Sequence, residues 1–269
     1  MPEGHTVHRT ANQFNEQFAG KALTIDSPQG RFSAGAEMVN GLILNRAFAV
    51  GKQLFLEFQG GLFIRIHLGI YGKWRWYQGK AVAKVLQDEP VGQVRARFYT
   101  DTAMADLRGP TVCEVIVAEE ADRVRDQLGP DPLNDDPSGL ELARFIARVQ
   151  RSKQPIGALL MDQAVISGVG NVYRAELLFR AGIDPYLEGN RLTEEQLRSI
   201  WKDAVALMQV GVATGFMITR DDLFESDPSK SERNFVYKRE GQPCRICGHE
   251  VSIALMQARK LYWCGNCQR

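Results

Sequence analysis

Met161-Asp162-Gln163-Ala164-Val165-Ile166-Ser167-Gly168-Val169-Gly170-Asn171-Val172-Tyr173-Arg174-Ala175-Glu176-Leu177 is the stretch on which the reading of this chain turns. Residues from Ile156 to Val165 have helical spacing and stop at Ser167-Gly168-Val169-Gly170. A second helix reads from Asn171 to Ala181, ended by Gly182 and Pro185. Glycine lets a backbone approach a ligand closely, and amides at a helix N-terminus favour phosphate. A helix–helix turn that needs glycine for geometry alone explains the same residues. The stretch by itself leaves both open.

On either side the pattern changes character. The spacing of Val7, Ala11, Phe14 and Phe18 predicts an opening amphipathic helix that ends at Gly20 and holds Pro2 and Glu3 at its start. Strand-like runs follow, among them 54–58, 62–66, 94–100 and 112–117, and they suggest an antiparallel sandwich or barrel. The run Gly129-Pro130-Asp131-Pro132-Leu133-Asn134-Asp135-Asp136-Pro137 reads as a linker. Beyond it, 140–149 is a helix candidate. Residues 193–208 form the clearest one, with a capping box at Thr193 and Gln196. Its stripe of Leu197, Ile200, Trp201, Ala204, Val205 and Met208 is a core face. The polar stretch 219–234 is expected to be a mobile surface loop. The expected architecture is α+β and multidomain. An antiparallel β-sandwich with a flanking helix fills 1–125, a linker 126–139, a helical domain 140–232 and a finger 233–269.

The chain has 269 residues, enough for two domains, with 44% hydrophobic and 24% charged residues. No apolar run approaches the roughly 18–20 residues a membrane span needs, and no leader precedes a small-residue cleavage site. A soluble cytoplasmic chain without a signal peptide is the expectation. The formal charge of +1 is uninformative, but its distribution is not. Glu114 to Ala143 carries nine acids against two arginines, and Arg233 to Arg269 seven bases against two acids. A basic C-terminal module suits phosphate binding, though a solvated basic tail has the same composition.

Of five cysteines, Cys113 sits alone in an apolar stretch and reads as a core thiol. Cys244-Arg-Ile-Cys247 and Cys264-Gly-Asn-Cys267 give two CxxC turns separated by 16 residues. Two such turns complete a tetrahedral Zn²⁺ site, and disulfides are rare in a reducing cytosol. Four thiolates leave no position for water, so the zinc is expected to be structural. The 252–263 segment has room for a β-hairpin whose turn carries Gln257, Arg259 and Lys260. Such a finger has little core, and metal binding must supply most of its folding energy. The ribbon alone would equally suit a transcription or translation factor.

The chain opens Met1-Pro2-Glu3-Gly4. With Met1 removed, Pro2 presents a secondary amine of pKa about 8, against roughly 10.4 for lysine. That amine can attack a sugar C1′ and form an iminium. Loss of the acidified C2′ proton would expel the 3′ phosphate, and a second elimination the 5′ phosphate. A neighbouring acid must protonate the opening ring, and Glu3 is placed for that. Lys52, after Gly51, could contact sugar or phosphate as a cation. Taken alone, Pro2 and Glu3 are better explained as a helix-starting proline and a first-turn acid facing the helix dipole.

Together these features resemble the formamidopyrimidine-DNA glycosylase/endonuclease VIII family over nearly the whole chain. The segment from Met161 through Gly168-Val169-Gly170-Asn171 to Pro185 is similar to the family's helix–two-turn–helix signature. The resemblance implies a bifunctional DNA glycosylase/AP lyase of base excision repair, acting as a nucleoid-associated monomer on double-stranded DNA with an oxidised base or abasic site. It implies Pro2 as nucleophile, Glu3 as general acid, and DNA contacts at Lys52, Asn171 and Arg259, with His67 and Tyr237 on the backbone. The zinc finger would hold Arg259 rigid against DNA. Ile70 and Tyr71 align with the intercalating loop that fills the gap left by a flipped nucleotide, though core packing would account for them as well.

The formamidopyrimidine branch also supplies an arginine–phenylalanine wedge from a second loop. The comparable stretch here is Ala105-Asp106-Leu107-Arg108-Gly109-Pro110, with no phenylalanine. That departure favours the endonuclease VIII branch and oxidised pyrimidines. An 8-oxoguanine/formamidopyrimidine enzyme is the alternative within the class. A non-catalytic zinc-ribbon DNA-binding module is the alternative outside it.

Overall fold

The computed structural model describes residues 2–269. Met1, whose removal the nucleophile reading requires, lies outside the described residues. The chain divides into two compact units, one of Pro2 and residues 7–126, the other of residues 3–6 and 127–269.

The first unit is the expected antiparallel sandwich. Its opening helix α1 is Gly4–Phe18, followed by β1 (Thr24–Asp26), α2 (Ser33–Val39), β2 (Leu44–Val50), β3 (Gln53–Phe58), β4 (Leu62–His67), β5 (Lys73–Gln78), α3 (Lys80–Gln87), β6 (Ala96–Tyr99), β7 (Ala103–Arg108), β8 (Val112–Val117) and α4 (Ala118–Asp126). One sheet runs β2-β3-β4-β8 and the other β1-β6-β7-β5, each antiparallel throughout. Strand periodicity explains the layers. Leu54, Leu56 and Phe58 of β3 face the shared core, while Phe55 turns to the other face beside Phe63 and Ala121. Both faces of β3 are therefore covered. Phe14 of α1 meets Trp74, Trp76 and Phe98 with ring centroids 5.0–5.6 Å apart. Cys113 is half-buried against this core, and burial pushes its thiol up to about 12.

The second unit is built from α5 (Leu140–Gln150), α6 (Ile156–Leu159), α7 (Asn171–Arg180), α8 (Glu194–Thr214) and the hairpin β9 (Ser252–Met256) and β10 (Arg259–Trp263). The capping box forms as read, with the Gln196 N–H donating to Thr193 Oγ1 and the Thr193 N–H to Gln196 Oε1. The helix expected over 156–165 ends at Leu159, because Asp162 turns the chain. Its carbonyl accepts from the Val165 and Ile166 amides, and its carboxylate from Ala164. The stretch read as a linker is irregular but packed: Gly129 to Pro132 are buried, and Ser167 N–H donates to the Pro130 carbonyl at 2.9 Å. The 219–234 stretch is anchored at its start, where Ile218 and Thr219 are buried. The finger borrows its core from α7, since Ala175 and Phe179 pack with Val236, Cys244, Val251 and Tyr262.

Candidate functional site

The two glycines of the opening stretch serve the chain's own N-terminus. Gly168 has φ +89° and its carbonyl accepts the Gly4 N–H at 2.8 Å. Gly170 holds the N-cap position of α7 and has no side chain to cap with. Glu3, 167 residues earlier, caps instead. Its carboxylate, fully buried, accepts from the amides of Gly170 at 2.9 Å, Val172 at 2.8 Å and Tyr173 at 3.3 Å. A Cβ on Gly170 would lie 2.5 Å from Glu3 Cδ, so only glycine admits this contact. Glu3 is thus no first-turn acid on its own helix dipole; it is the anion at the dipole of α7. Of the two readings left open for the glycine turn, phosphate binding by these three amides is ruled out, because the protein's own carboxylate occupies them.

Asn171 is buried, and its Nδ2 donates to the Lys260 carbonyl of β10 at 2.9 Å. Arg174, one turn on, is fully buried and donates to Asn171 Oδ1 and to the same carbonyl. Glu176, also fully buried, accepts from the amides of Phe235, Val236 and Tyr237 at 2.7–2.9 Å and from Thr219 Oγ1 at 2.6 Å. It thereby sets the backbone that carries Tyr237. The Tyr237 ring packs edge-on against Tyr262, and burial raises its phenol pKa. Arg259 lies at the start of β10, just past a turn in which Gln257 and Ala258 both have positive φ. Arg259 and Lys260 are exposed on the strand, one and two positions beyond the turn expected to carry them.

In the sandwich, Lys52 follows Gly51 in the β2–β3 turn, and His67 ends β4 opposite Gln53. Burial and then the charges of Lys52 and Arg65 push the His67 pKa down. The β4–β5 turn is closed by Gly72 N–H donating to the Leu68 carbonyl at 2.9 Å. A Cβ on Gly69 would strike Thr111 Oγ1, and one on Gly72 the Leu68 carbonyl. Between them Ile70 is 46% and Tyr71 85% exposed, which excludes core packing for both. The stretch compared with a second loop is mostly strand: Ala103–Arg108 is β7, leaving only 109–111 as connection.

The four finger sulfurs lie within 4.8 Å of one another, with Cys244–Cys267 at 3.8 Å and Cys247–Cys264 at 3.5 Å. A disulfide needs about 2.05 Å, whereas a tetrahedron with bonds of about 2.3 Å has edges of about 3.8 Å. The four cysteines could hold one metal ion. No helix among the described residues is long and apolar enough to cross a membrane.

Sequence reasoning missed Arg174 and Glu176 as organisers of this region. Their signal was two charged residues interrupting the apolar stretch Val172 to Phe179, all of which is buried.

Two family models match the chain: the formamidopyrimidine-DNA glycosylase N-terminal domain over residues 1–113 and the formamidopyrimidine-DNA glycosylase H2TH domain over residues 128–222. Endonuclease 8 1 of Mycobacterium tuberculosis is 44% identical over 272 residues, covering 100% of both chains. The formamidopyrimidine-DNA glycosylase of Xanthomonas axonopodis pv. citri is 30% identical over 280 residues, again with 100% of both covered. Among solved structures, Lactococcus lactis Fpg in complex with abasic-site DNA shares the fold, with a TM-score of 0.80 at 20% identity over 99% of each chain.

Proposed function

Because the chain belongs to the formamidopyrimidine-DNA glycosylase/endonuclease VIII family of DNA glycosylase/AP lyases, we propose that it removes oxidised pyrimidines from double-stranded DNA through an N-terminal proline Schiff base and β,δ-elimination. The observation that carries the proposal is the Glu3 carboxylate, buried and held by three backbone amides beside the residue that would be the nucleophile.

In this reading the Pro2 amine attacks C1′ and the damaged base leaves. The amine formed on attack must lose a proton. Glu3 meets its N–H donors as an acceptor, so it takes this proton and passes it to the ring oxygen as the sugar opens to the iminium. Loss of the C2′ proton then expels the 3′ phosphate, and the second elimination the 5′ phosphate. Lys52 is the cation for sugar or phosphate. His67, Asn171, Tyr237 and Arg259 contact the DNA backbone, and Ile70 and Tyr71 fill the gap left by the flipped nucleotide.

Cys244, Cys247, Cys264 and Cys267 hold a structural zinc whose chemistry is to fix the finger that carries Arg259. The division of labour assigns 1–125 to catalysis, 126–139 to connection, 140–232 to DNA binding and 233–269 to the finger. The site of action is the nucleoid in the cytoplasm. Two facts support the pyrimidine preference: identity is 44% to the endonuclease 8 relative against 30% to the formamidopyrimidine one, and the short β7–β8 connection has no phenylalanine to offer as a second wedge.

Borohydride trapping on abasic-site DNA tests the reading. The Met1-processed protein should form a covalent adduct that Pro2→Gly abolishes. An N-terminal extension should bind DNA without cleaving it. No adduct from protein whose N-terminal proline is verified by mass spectrometry would leave only a DNA-binding role.

A further inference from the structure

Arg174 heads the largest fully buried side chains of the described residues. Among the described residues no carboxylate hydrogen-bonds it, although the charge of Glu3 acts on it. Nη2 donates to Asn171 Oδ1 and to the Lys260 carbonyl, both neutral oxygens, while Nε and Nη1 are buried with no hydrogen-bond partner. Burying a guanidinium in this way is costly. Burial pulls its pKa down to about 10.

What the cost secures follows from the chemistry of the two side chains. A carboxamide has an acceptor end and a donor end of nearly equal shape. Arginine carries donors only, so Oδ1 is the one end of Asn171 that can face it. The NH₂ end is then turned to the Lys260 side, where it donates at 2.9 Å. A phosphate accepts from NH₂ and repels a carbonyl oxygen. The Lys260 carbonyl receives both Asn171 Nδ2 and Arg174 Nη2, so the same guanidinium ties β10 to α7. Arg259 is the preceding residue on that strand, and its charge, like the larger influence of Glu3, acts on Arg174.

We propose that Arg174 is a positioning residue for the DNA-phosphate contact: it sets the donor end of Asn171 and locks the Arg259-bearing hairpin against α7. This rests on the reading of Asn171 and Arg259 as phosphate contacts. It adds that a buried cation which touches no phosphate decides how they are presented.

The test is a double-mutant cycle on binding to duplex DNA carrying a tetrahydrofuran abasic analogue, measured over a salt series, with melting curves to establish folding. Arg174→Gln and Asn171→Ala should each weaken binding about 10-fold, and the double variant no more than about 2-fold beyond the weaker single. The salt slope of Arg174→Gln should fall by less than the about one unit that Arg259→Ala removes, because the Arg259 charge itself remains. Arg174→Lys, which keeps a charged donor, should recover most of the affinity. Multiplicative losses near 100-fold, or a slope lowered by about one in Arg174→Gln, would overturn the proposal. Parent-like binding by Asn171→Ala would instead remove the phosphate reading beneath it. Should Arg174→Gln fail to fold, Asn171→Asp decides: a carboxylate facing Arg174 should raise the melting temperature while DNA affinity falls, and an unchanged or lowered melting temperature refutes the pairing.

Discussion

The sandwich and the helical unit bury charge in opposite ways. In the sandwich, Arg97 and Asp106 close a buried bidentate pair at 2.8 and 3.2 Å, with Arg108 also on Asp106. In the helical unit, Glu3 and Glu176 accept chiefly from backbone amides, and Arg174 donates to a carbonyl and a carboxamide. Charges closed on one another's side chains steady a scaffold. Charges spent on backbone groups fix the course of loops and helix ends, which is what a site needs. On the proposed function, the helical unit is the part where stability and function draw on the same residues.

Metal removal should separate the two regions most widely. Apparent zinc binding to finger peptides is worth about 10–16 kcal/mol. Chelation, followed by metal content and DNA affinity, should abolish binding yet leave the near-ultraviolet signal of Trp74 and Trp76 unchanged. Loss of that signal would make the finger a prop for the sandwich as well.

Glu3→Gln keeps the shape of the cap but cannot relay a proton. Base excision in single turnover should fall by about 10²–10⁴-fold. Activity within a few-fold of the parent would reduce Glu3 to a capping residue.

Glu176→Ala and Asp106→Ala set the two burial modes side by side. Each leaves buried groups unpaired and should cost about 3–5 kcal/mol in denaturant unfolding. Only Glu176→Ala should also weaken DNA binding, because it frees the backbone at 235–237. Equal losses of affinity would erase the distinction drawn above.

Thr193→Ala removes half of the capping box and should cost about 1 kcal/mol, with chemistry unchanged. The smallest effect belongs to His67. Its folded pKa lies below the unfolded value of 6.5, so the unfolded chain binds more protons between the two. Its stabilising contribution is present above 6.5 and declines as pH falls through that value towards the folded pKa. His67→Asn should flatten stability against pH in that window alone.

Much of the scaffold could be read directly from short-range pattern. The strand-like run 54–58 placed a strand, Thr193 and Gln196 a helix start, and the two CxxC turns a metal-binding cluster. The shortfalls have a common cause. Residues 156–165 look helical in period, yet Asp162 bends the chain through bonds that no periodicity records. Gly129 to Pro132 have a linker's composition but are packed, since composition does not say what lies alongside.

By itself the sequence determined most of the strands and helices and that four cysteines would meet. These depend on neighbours a few residues apart. Tertiary structure alone decided that Gly170 is a glycine for the sake of Glu3, that Glu176 carries Tyr237 and that Arg174 faces Asn171 and Lys260. The reason is physical. A buried charge must find partners somewhere, and here most of them lie 43 to 170 residues away, where only the folded chain can bring them.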